Sequence, residues 1–403
     1  MSGSSGKFAI CGLGVVTGKG LRMSARTLQA EAARRAIADA GLKRSQIGGA
    51  INGTGSAGSM PGGGGWIDGF SRVLGLNANF YFTVARGAIG SIAGMLAATR
   101  AIELGIADYV VIAAGDAAYS NSRGLLDAKP LARSRVGRGN SILGTDLLGY
   151  TATVRAGNIH GFVATRHMHE YGTTSEQLGA VAVAARAWAN LNPEAQSHGK
   201  PLSIEDHQKS PLIVEPYHQY DCCLESDSGV AIVVTSTERA MDLARPPVEI
   251  LGLGIGDQSG KQWWDKSNYT TFDVATARDA AFAQAGVALE DIDVAHLYDC
   301  FTGEVIMQLE DYGFCPKGQG GPFVAAGNTA PGGTIPVNTG GGMLSGFMLF
   351  EFTGLAEIVR QLRGEGGARQ VKDARIGMYT GCGGEMLVPG MCSIHGTAVL
   401  GGS

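Results

Sequence analysis

The stretch His296-Leu297-Tyr298-Asp299-Cys300-Phe301, taken with Pro336-Val337-Asn338-Thr339-Gly340-Gly341-Gly342-Met343-Leu344-Ser345, decides how the rest of the chain is read. An apolar run ends in Tyr-Asp-Cys and is followed, through Glu310, by apolar spacing near 3.6. Three polar side chains are therefore predicted where a strand gives way to a helix, a common seat for chemistry in open α/β sheets. The Asn-Thr-Gly-Gly-Gly run then supplies backbone N–H groups with no side chains in the way, as a close-approaching ligand or backbone requires.

At 403 residues the chain suits two domains or one duplicated domain. Hydrophobic residues make up 44% and charged residues 17%, and 63 glycines far exceed the usual ~7%. That composition describes a closely packed, turn-rich globule of enzyme type. A net charge of -4 with no basic run gives no reason to expect nucleic acid. No segment reaches ~18 consecutive apolar residues and no signal-peptide pattern opens the chain, so no membrane span and a cytoplasmic location are expected. Met1 to Gly6 reads as a leader outside the fold. The cysteines at 11, 222, 223, 300, 315, 382 and 392 contain no C-x-x-C pair, which fits reduced thiols, and no four-ligand zinc spacing is present.

Outward from the opening stretch, strands are expected at Lys7 to Val16, Ile47 to Asn52, Phe80 to Val84, Ala107 to Ala114 and Gly229 to Thr235. A helix is expected from Ser24 to Ala40, with Leu28, Ala32, Ala36 and Ala40 on one face and Gly41 as its cap. The run Ser91 to Leu104 is apolar nearly all round and should be covered on every side. Gly53-Thr54-Gly55-Ser56-Ala57-Gly58 matches G-x-G-x-x-G but lacks the following helix, so it reads as a glycine-rich loop. Residues 116–228, with helices near 162–171 and 175–190, read as an inserted cap between two strands.

From about residue 246 the pattern starts again. Arg35 to Leu42 followed by Gln46-Ile47 has a counterpart in Ala280 to Val287 followed by Asp291-Ile292, at a constant offset of 245. Arg100 to Gly105 before a Val/Ile strand is echoed by Val359 to Gly364 before Ala374 to Met378. Two echoes in the same order predict a duplicated domain, with halves at 7–245 and 246–403.

These runs, together with Leu309-Glu310-Asp311-Tyr312-Gly313-Phe314-Cys315, Gln361-Leu362-Arg363-Gly364-Glu365 through Val371, and Gly381-Cys382-Gly383-Gly384, cover almost the whole length. They resemble the thiolase superfamily, in the branch of sterol-carrier-type thiolases and lipid-transfer-protein aldolases. The resemblance implies a five-layer αβαβα fold, a homodimer, and an acyl-CoA substrate in which coenzyme A enters as part of the substrate, with no covalently bound cofactor.

Three departures from thiolases bear on the reaction. The nucleophilic cysteine of the family's Cys-x-x-Gly run is replaced in Gly87-Ala88-Ile89-Gly90-Ser91, and thiolysis through an acyl-enzyme needs a thiolate. Ser91 is the remaining hydroxyl there, with a helix-capping role as the plainer reading. The family's His-Asp-Cys-Phe appears as Tyr298-Asp299-Cys300-Phe301, and the aldolases resemble this Tyr form, with the phenol assigned to acid/base work. Finally, Met348 stands where thiolases carry a histidine and the aldolases often a second tyrosine. A thioether moves no protons, so Glu351 or Tyr379 substitutes, Tyr298 acts alone, or the site does no chemistry.

The resemblance thus points to a carbon–carbon lyase performing retro-aldol cleavage of a β-hydroxyacyl-CoA, with Tyr298, Asp299 and Cys382 as catalytic candidates. Gly341, Gly342, Gly383 and Gly384 are candidates for holding the enolate oxygen, each with a turn-forming role as the plain reading. Met348, Ser91 and Arg86 line the expected substrate site, Arg86 as a phosphate contact or a salt-bridge partner. No metal ligands are expected, since in the cluster His160, His167 and His169 an i, i+2 spacing does not share a helix face, and Cys222-Cys223 reads as core. The aldolases also imply a small OB-fold zinc-ribbon partner. The alternatives are a subunit of an acyl-CoA acyltransferase using Cys300 or Cys382, and a non-catalytic acyl-CoA binder. The acyl group depends on the cap and on the Trp263-Trp264 loop, which pattern does not define.

Overall fold

The computed structural model describes residues 6–53, 69–84, 87–126, 156–257, 268–272, 274–383 and 394–402. Its N-terminal half runs β1 (Phe8–Gly18), α1 (Ala25–Asp39), β2 (Gly49–Asn52), α2 (Gly69–Leu74), β3 (Phe80–Thr83), α3 (Gly90–Glu103) and β4 (Val110–Ala117). The connecting region carries α4 (Ala118–Ser122), α5 (Ala156–Tyr171), α6 (Ser175–Asn190), α7 (Ile204–Lys209) and a hairpin of β5 (Leu212–Val214) and β6 (Tyr217–His218). It is closed by β7 (Asp227–Ser236) and α8 (Thr237–Met241). The C-terminal half comprises β8 (Val248–Asp257), α9 (Ala275–Ala285), β9 (Val294–His296), α10 (Thr302–Tyr312), α11 (Gly320–Ala325), α12 (Glu351–Leu362), β10 (Ile376–Gly383) and β11 (Ile394–Gly402).

The first sequence echo folds alike in both places. Ser24 caps α1 by accepting from the Thr27 N–H at 3.2 Å. Beyond the helix, Gly41 takes φ +71, a turn spans Arg44–Gln46 and β2 begins. Likewise α9 ends at Gly286 with φ +69, a turn spans Leu289–Asp291 and β9 begins. A left-handed residue after a helix favours glycine because it has no Cβ to clash.

Part of the glycine excess has a second cause, close approach. A Cβ on Gly14 of β1 would lie 2.1 Å from the Ala32 carbonyl oxygen of α1, and one on Gly254 of β8 would lie 1.9 Å from that of Ala277 of α9. Glycine in the strand and alanine in the helix let each helix lie almost on the sheet backbone.

The strands form one nine-stranded sheet in the order β3-β2-β4-β7-β1-β8-β11-β10-β9. Its halves meet through β1 and β8, which share only the pairs Ala9 with Glu249 and Ile10 with Val248. One core holds α3 and α12 between the two halves of the sheet, with Ile92, Met95, Phe352 and Ile358 among its side chains. A second lies under α1 on the outer face of the N-terminal half, and a third gathers α9, α10 and α6 on the outer face of the C-terminal half. Helices therefore alternate with sheet in five layers, with α3 and α12 in the middle.

The expectation that α3 is covered on every side is corrected: Leu96 is 39% and Leu104 66% exposed. The helix packs beside the edge strand β3, where Phe82 is also 44% exposed, so one apolar flank of the single chain faces outward. Helices α5 and α6 pack on α10 and α11 and share the core that contains Tyr298. Among the described residues no helix is long and apolar enough to cross a membrane.

Candidate active site

The end of β9 is fixed from three directions. The strand pairs in parallel with β10, Ala295 opposite Met378 and His296 opposite Tyr379. Asn338 then clamps the next peptide: its Oδ1 accepts from the Leu297 N–H at 2.9 Å and its Nδ2 donates to the Leu297 carbonyl at 3.0 Å. Asn338 has φ +56, a conformation asparagine tolerates better than most residues. The Tyr298 N–H donates to Thr380 Oγ1 at 2.9 Å and its carbonyl accepts from Gln308 Nε2 at 2.7 Å. Thr380 Oγ1 donates to Gln308 Oε1 at 2.7 Å and closes the ring. Tyr298, only 4% exposed, is thus held by the neighbouring strand and by α10 independently of any ligand.

Asp299 is fully buried and anchors the glycine-rich loop. The Met343 N–H reaches its two carboxyl oxygens at 2.9 and 3.0 Å, and the Leu344 N–H reaches Oδ2 at 3.3 Å. Burial pushes its pKa up to about 8, against the pull of these donors and of Asn338. Gly342 has φ +58, and a Cβ there would lie 2.0 Å from Asp299 Oδ2, so glycine is required for both reasons. The Gly341 N–H donates to the Asn338 carbonyl at 2.8 Å. Gly341 is therefore corrected from an enolate-holding donor to a turn residue, and the loop donors Met343 and Leu344 are taken by Asp299. Farther along, Thr339 donates to Glu357 Oε1 at 2.8 Å and Arg369 pairs with Glu357 at 2.9 Å, tying the loop to α12.

The mouth of α3 carries a carboxyl group. A turn at Gly87–Ile89 leads into the helix, and the buried Ser91 donates its N–H to Glu351 Oε1 at 2.8 Å. Ser91 Oγ lies 3.0 Å from the Tyr379 hydroxyl. Burial pushes the Glu351 pKa up to about 8, while Tyr379 is pushed well above the ordinary phenol value by the same cause. Of the two residues offered as substitutes at Met348, only Glu351 therefore titrates near neutrality. The residue before it, Phe350, takes φ 53 and ψ -144, a strained backbone for a residue with a side chain. Met348 is half-buried and donates its N–H to Ser226 Oγ at 2.9 Å.

The remaining candidates divide. Cys382 is buried and disulfide-bonded, which corrects both its reading as a catalytic thiol and the expectation that every cysteine is reduced. Gly383 ends β10 opposite Ile394. Gly384, Arg86 and the Trp263-Trp264 loop lie outside the described residues. Cys300 donates to Glu304 Oε2 at 3.0 Å. His167 lies between Thr173 and Glu310, both at 2.9 Å, and Glu310 also receives Lys317 at 3.1 Å, an arrangement that pins α5 to α10. Sequence reading missed Thr380, Gln308 and Asn338. Only Gln308 left a signal, as a polar residue on the buried face of a helix.

The residues 257–401 match the family model described as thiolase C-terminal domain-like. The chain is 38% identical over 371 residues to a steroid side-chain-cleaving aldolase of Thermomonospora curvata, covering 90% of this chain and 92% of that protein. It is 36% identical over 372 residues to the 17-hydroxy-3-oxo-4-pregnene-20-carboxyl-CoA lyase of Mycobacterium tuberculosis, covering 89% and 92%. Among solved structures, an Ltp2-ChsH2(DUF35) aldolase superposes with a TM-score of 0.83 at 33% identity over 99% of this chain and 98% of that one. With the doubly anchored strand end and the missing thiol already in place, the chain belongs to the thiolase superfamily, in its lipid-transfer-protein aldolase branch of carbon–carbon lyases acting on acyl-CoA.

Proposed function

We propose that this protein cleaves a β-hydroxyacyl-CoA by a retro-aldol reaction in which Tyr298 takes the proton of the β-hydroxyl. The Cα–Cβ bond then breaks, its electron pair passes into the thioester as an enolate, and an aldehyde or ketone leaves. Protonation at Cα gives the shortened acyl-CoA. The observation that carries this reading is the presence together of Tyr298, its backbone held beyond the end of β9, and of Gly87, which offers no thiol, before α3. A phenol with a pKa near ~10 needs nearby donors or positive charge to act as a base.

The names of the two aligned relatives make steroid side-chain acyl-CoA thioesters the first substrate class to assay, with aromatic and short branched acyl-CoAs as comparators. The solved neighbour carries a DUF35 protein in its name, which supports a small partner for this chain as well. A homodimer through β3 and the outward flank of α3 and a cytoplasmic location complete the reading.

The test is Tyr298→Phe in the purified protein with its partner. Removing an acid/base group should lower kcat by roughly 10²–10⁴-fold with little change in KM. Unchanged turnover would leave a non-catalytic acyl-CoA binder. Iodoacetamide separates the acyltransferase: turnover lost with the label on Cys300 would favour thiol chemistry over the lyase.

A further inference from the structure

We propose that His160, Cys300 and Glu304 form a site for one borderline-soft divalent cation of the Zn²⁺ class. Cys300 and Glu304 bracket the start of α10 four residues apart, and His160 comes from α5 packed against it. One ligand atom from each residue lies within 4.8 Å of the others. Glu304 is fully buried, His160 is 3% exposed and Cys300 is half-buried.

The carboxylate carries the argument. Glu304 Oε1 lies 2.6 Å from His160 Nδ1 as an ion-pair contact and makes no hydrogen bond among the described residues. A buried carboxylate oxygen that makes no hydrogen bond is costly, and a shared cation would satisfy it. Cys300 Sγ stands 3.0 Å from the other oxygen, Oε2. Zinc bonds of about 2.3 Å to sulfur and about 2.0–2.2 Å to nitrogen and oxygen imply ligand separations of roughly 3.4–3.6 Å in a tetrahedron. The His160–Glu304 and Cys300–Glu304 contacts would each widen by less than about 1 Å to admit the ion.

The surroundings restrict the choice of cation. A thiolate ligand selects against Mg²⁺ and Ca²⁺, and a sulfur, nitrogen and oxygen set suits Zn²⁺ or Co²⁺. Thiolate and carboxylate charges would balance the ion, giving a neutral assembly that the apolar wall tolerates. The Phe301 ring lies against His160 at 5.1 Å and against Tyr217 at 5.0 Å, and the Tyr217 hydroxyl donates to the His160 carbonyl at 3.4 Å. These contacts hold the His160 backbone and cover one face of its ring. Three protein ligands leave a fourth position for water or a ligand oxygen, two residues along the chain from Tyr298.

The inference does not depend on the lyase reading, and its test measures the cation, not turnover. The full-length protein is stripped with a chelator, titrated with Zn²⁺ or Co²⁺, and checked for native circular dichroism throughout. The expected result is one ion per chain, with Co²⁺ producing a thiolate charge-transfer band in the near ultraviolet. Cys300→Ser should abolish that band, and His160→Ala and Glu304→Gln should each weaken binding beyond the roughly 10–100-fold typical of an outer-shell partner. Cys11→Ser, in a different core, should leave binding intact. Folded protein that retains no ion and shows no band would overturn the proposal, leaving a hydrogen-bonded Cys-Glu-His triad. Binding that survives in all three ligand variants would overturn it equally.

Discussion

A double-mutant cycle between Gly342 and Asp299 tests whether the carboxyl group organises the glycine-rich loop. Gly342→Ala places a Cβ 2.0 Å from Asp299 Oδ2 at φ +58. The left-handed backbone alone costs roughly 1–2 kcal/mol. The carboxyl must also move, which strands the buried Met343 and Leu344 N–H groups at about 1–3 kcal/mol each. The single substitution should therefore destabilise by roughly 3–8 kcal/mol, summing these contributions. In an Asp299→Ala background the donors are already stranded and only the 3.0 Å approach to Asn338 Nδ2 remains, so the same change should cost only about 1–2 kcal/mol. Chemical denaturation of the four proteins gives a coupling of about 2–6 kcal/mol if the reasoning holds. Equal costs for Gly342→Ala in both backgrounds would refute it.

Two further outcomes are expected. Asp299 and Glu351, each pushed up to about 8 by burial, keep protons that the unfolded chain releases near pH 4, so they make stability fall as pH rises toward about 8. His296, pushed down to about 4, and His395, to about 3, work the other way, since unfolded imidazoles take up protons below about 6.5 and stability falls as pH drops. Between about pH 6.5 and 8 the carboxyls act without the histidines, so the melting temperature should decline across that window and Glu351→Gln should flatten the decline. An unaltered slope in that variant would contradict the burial argument. For the proposed dimer, Phe82→Lys places a charge on an edge strand whose apolar ring, 44% exposed in the single chain, should contribute about 0.7–1.3 kcal/mol per protomer when covered. Sedimentation velocity should show dissociation, and an undisturbed dimer would exclude that flank as the contact.

The parts of the site that were legible are those with local causes. The change from an apolar run to helical spacing at Tyr298-Asp299 marked the end of β9 and the start of α10. The echo at offset 245 foretold two helices that end at glycines with positive φ, each followed by a short turn and a strand. These depend on residues within a turn or two of one another, where steric preference and periodicity act. The plain turn reading weighed for Gly341 was also correct, although its cause, a bond to Asn338, was not visible.

What the linear order of residues determined was much of the strand and helix succession, the echo at offset 245, the absence of a thiol at Gly87 and the presence of a phenol at position 298. What only the tertiary structure decided was company. Asp299 meets Met343, Ser91 meets Glu351 260 positions away, Thr380 and Gln308 close on Tyr298, and His160 faces Glu304. Such meetings are set by how two packed halves and their loops bring distant segments together. No short-range preference encodes that distance, whereas helix spacing and glycine caps are written within a few neighbouring residues.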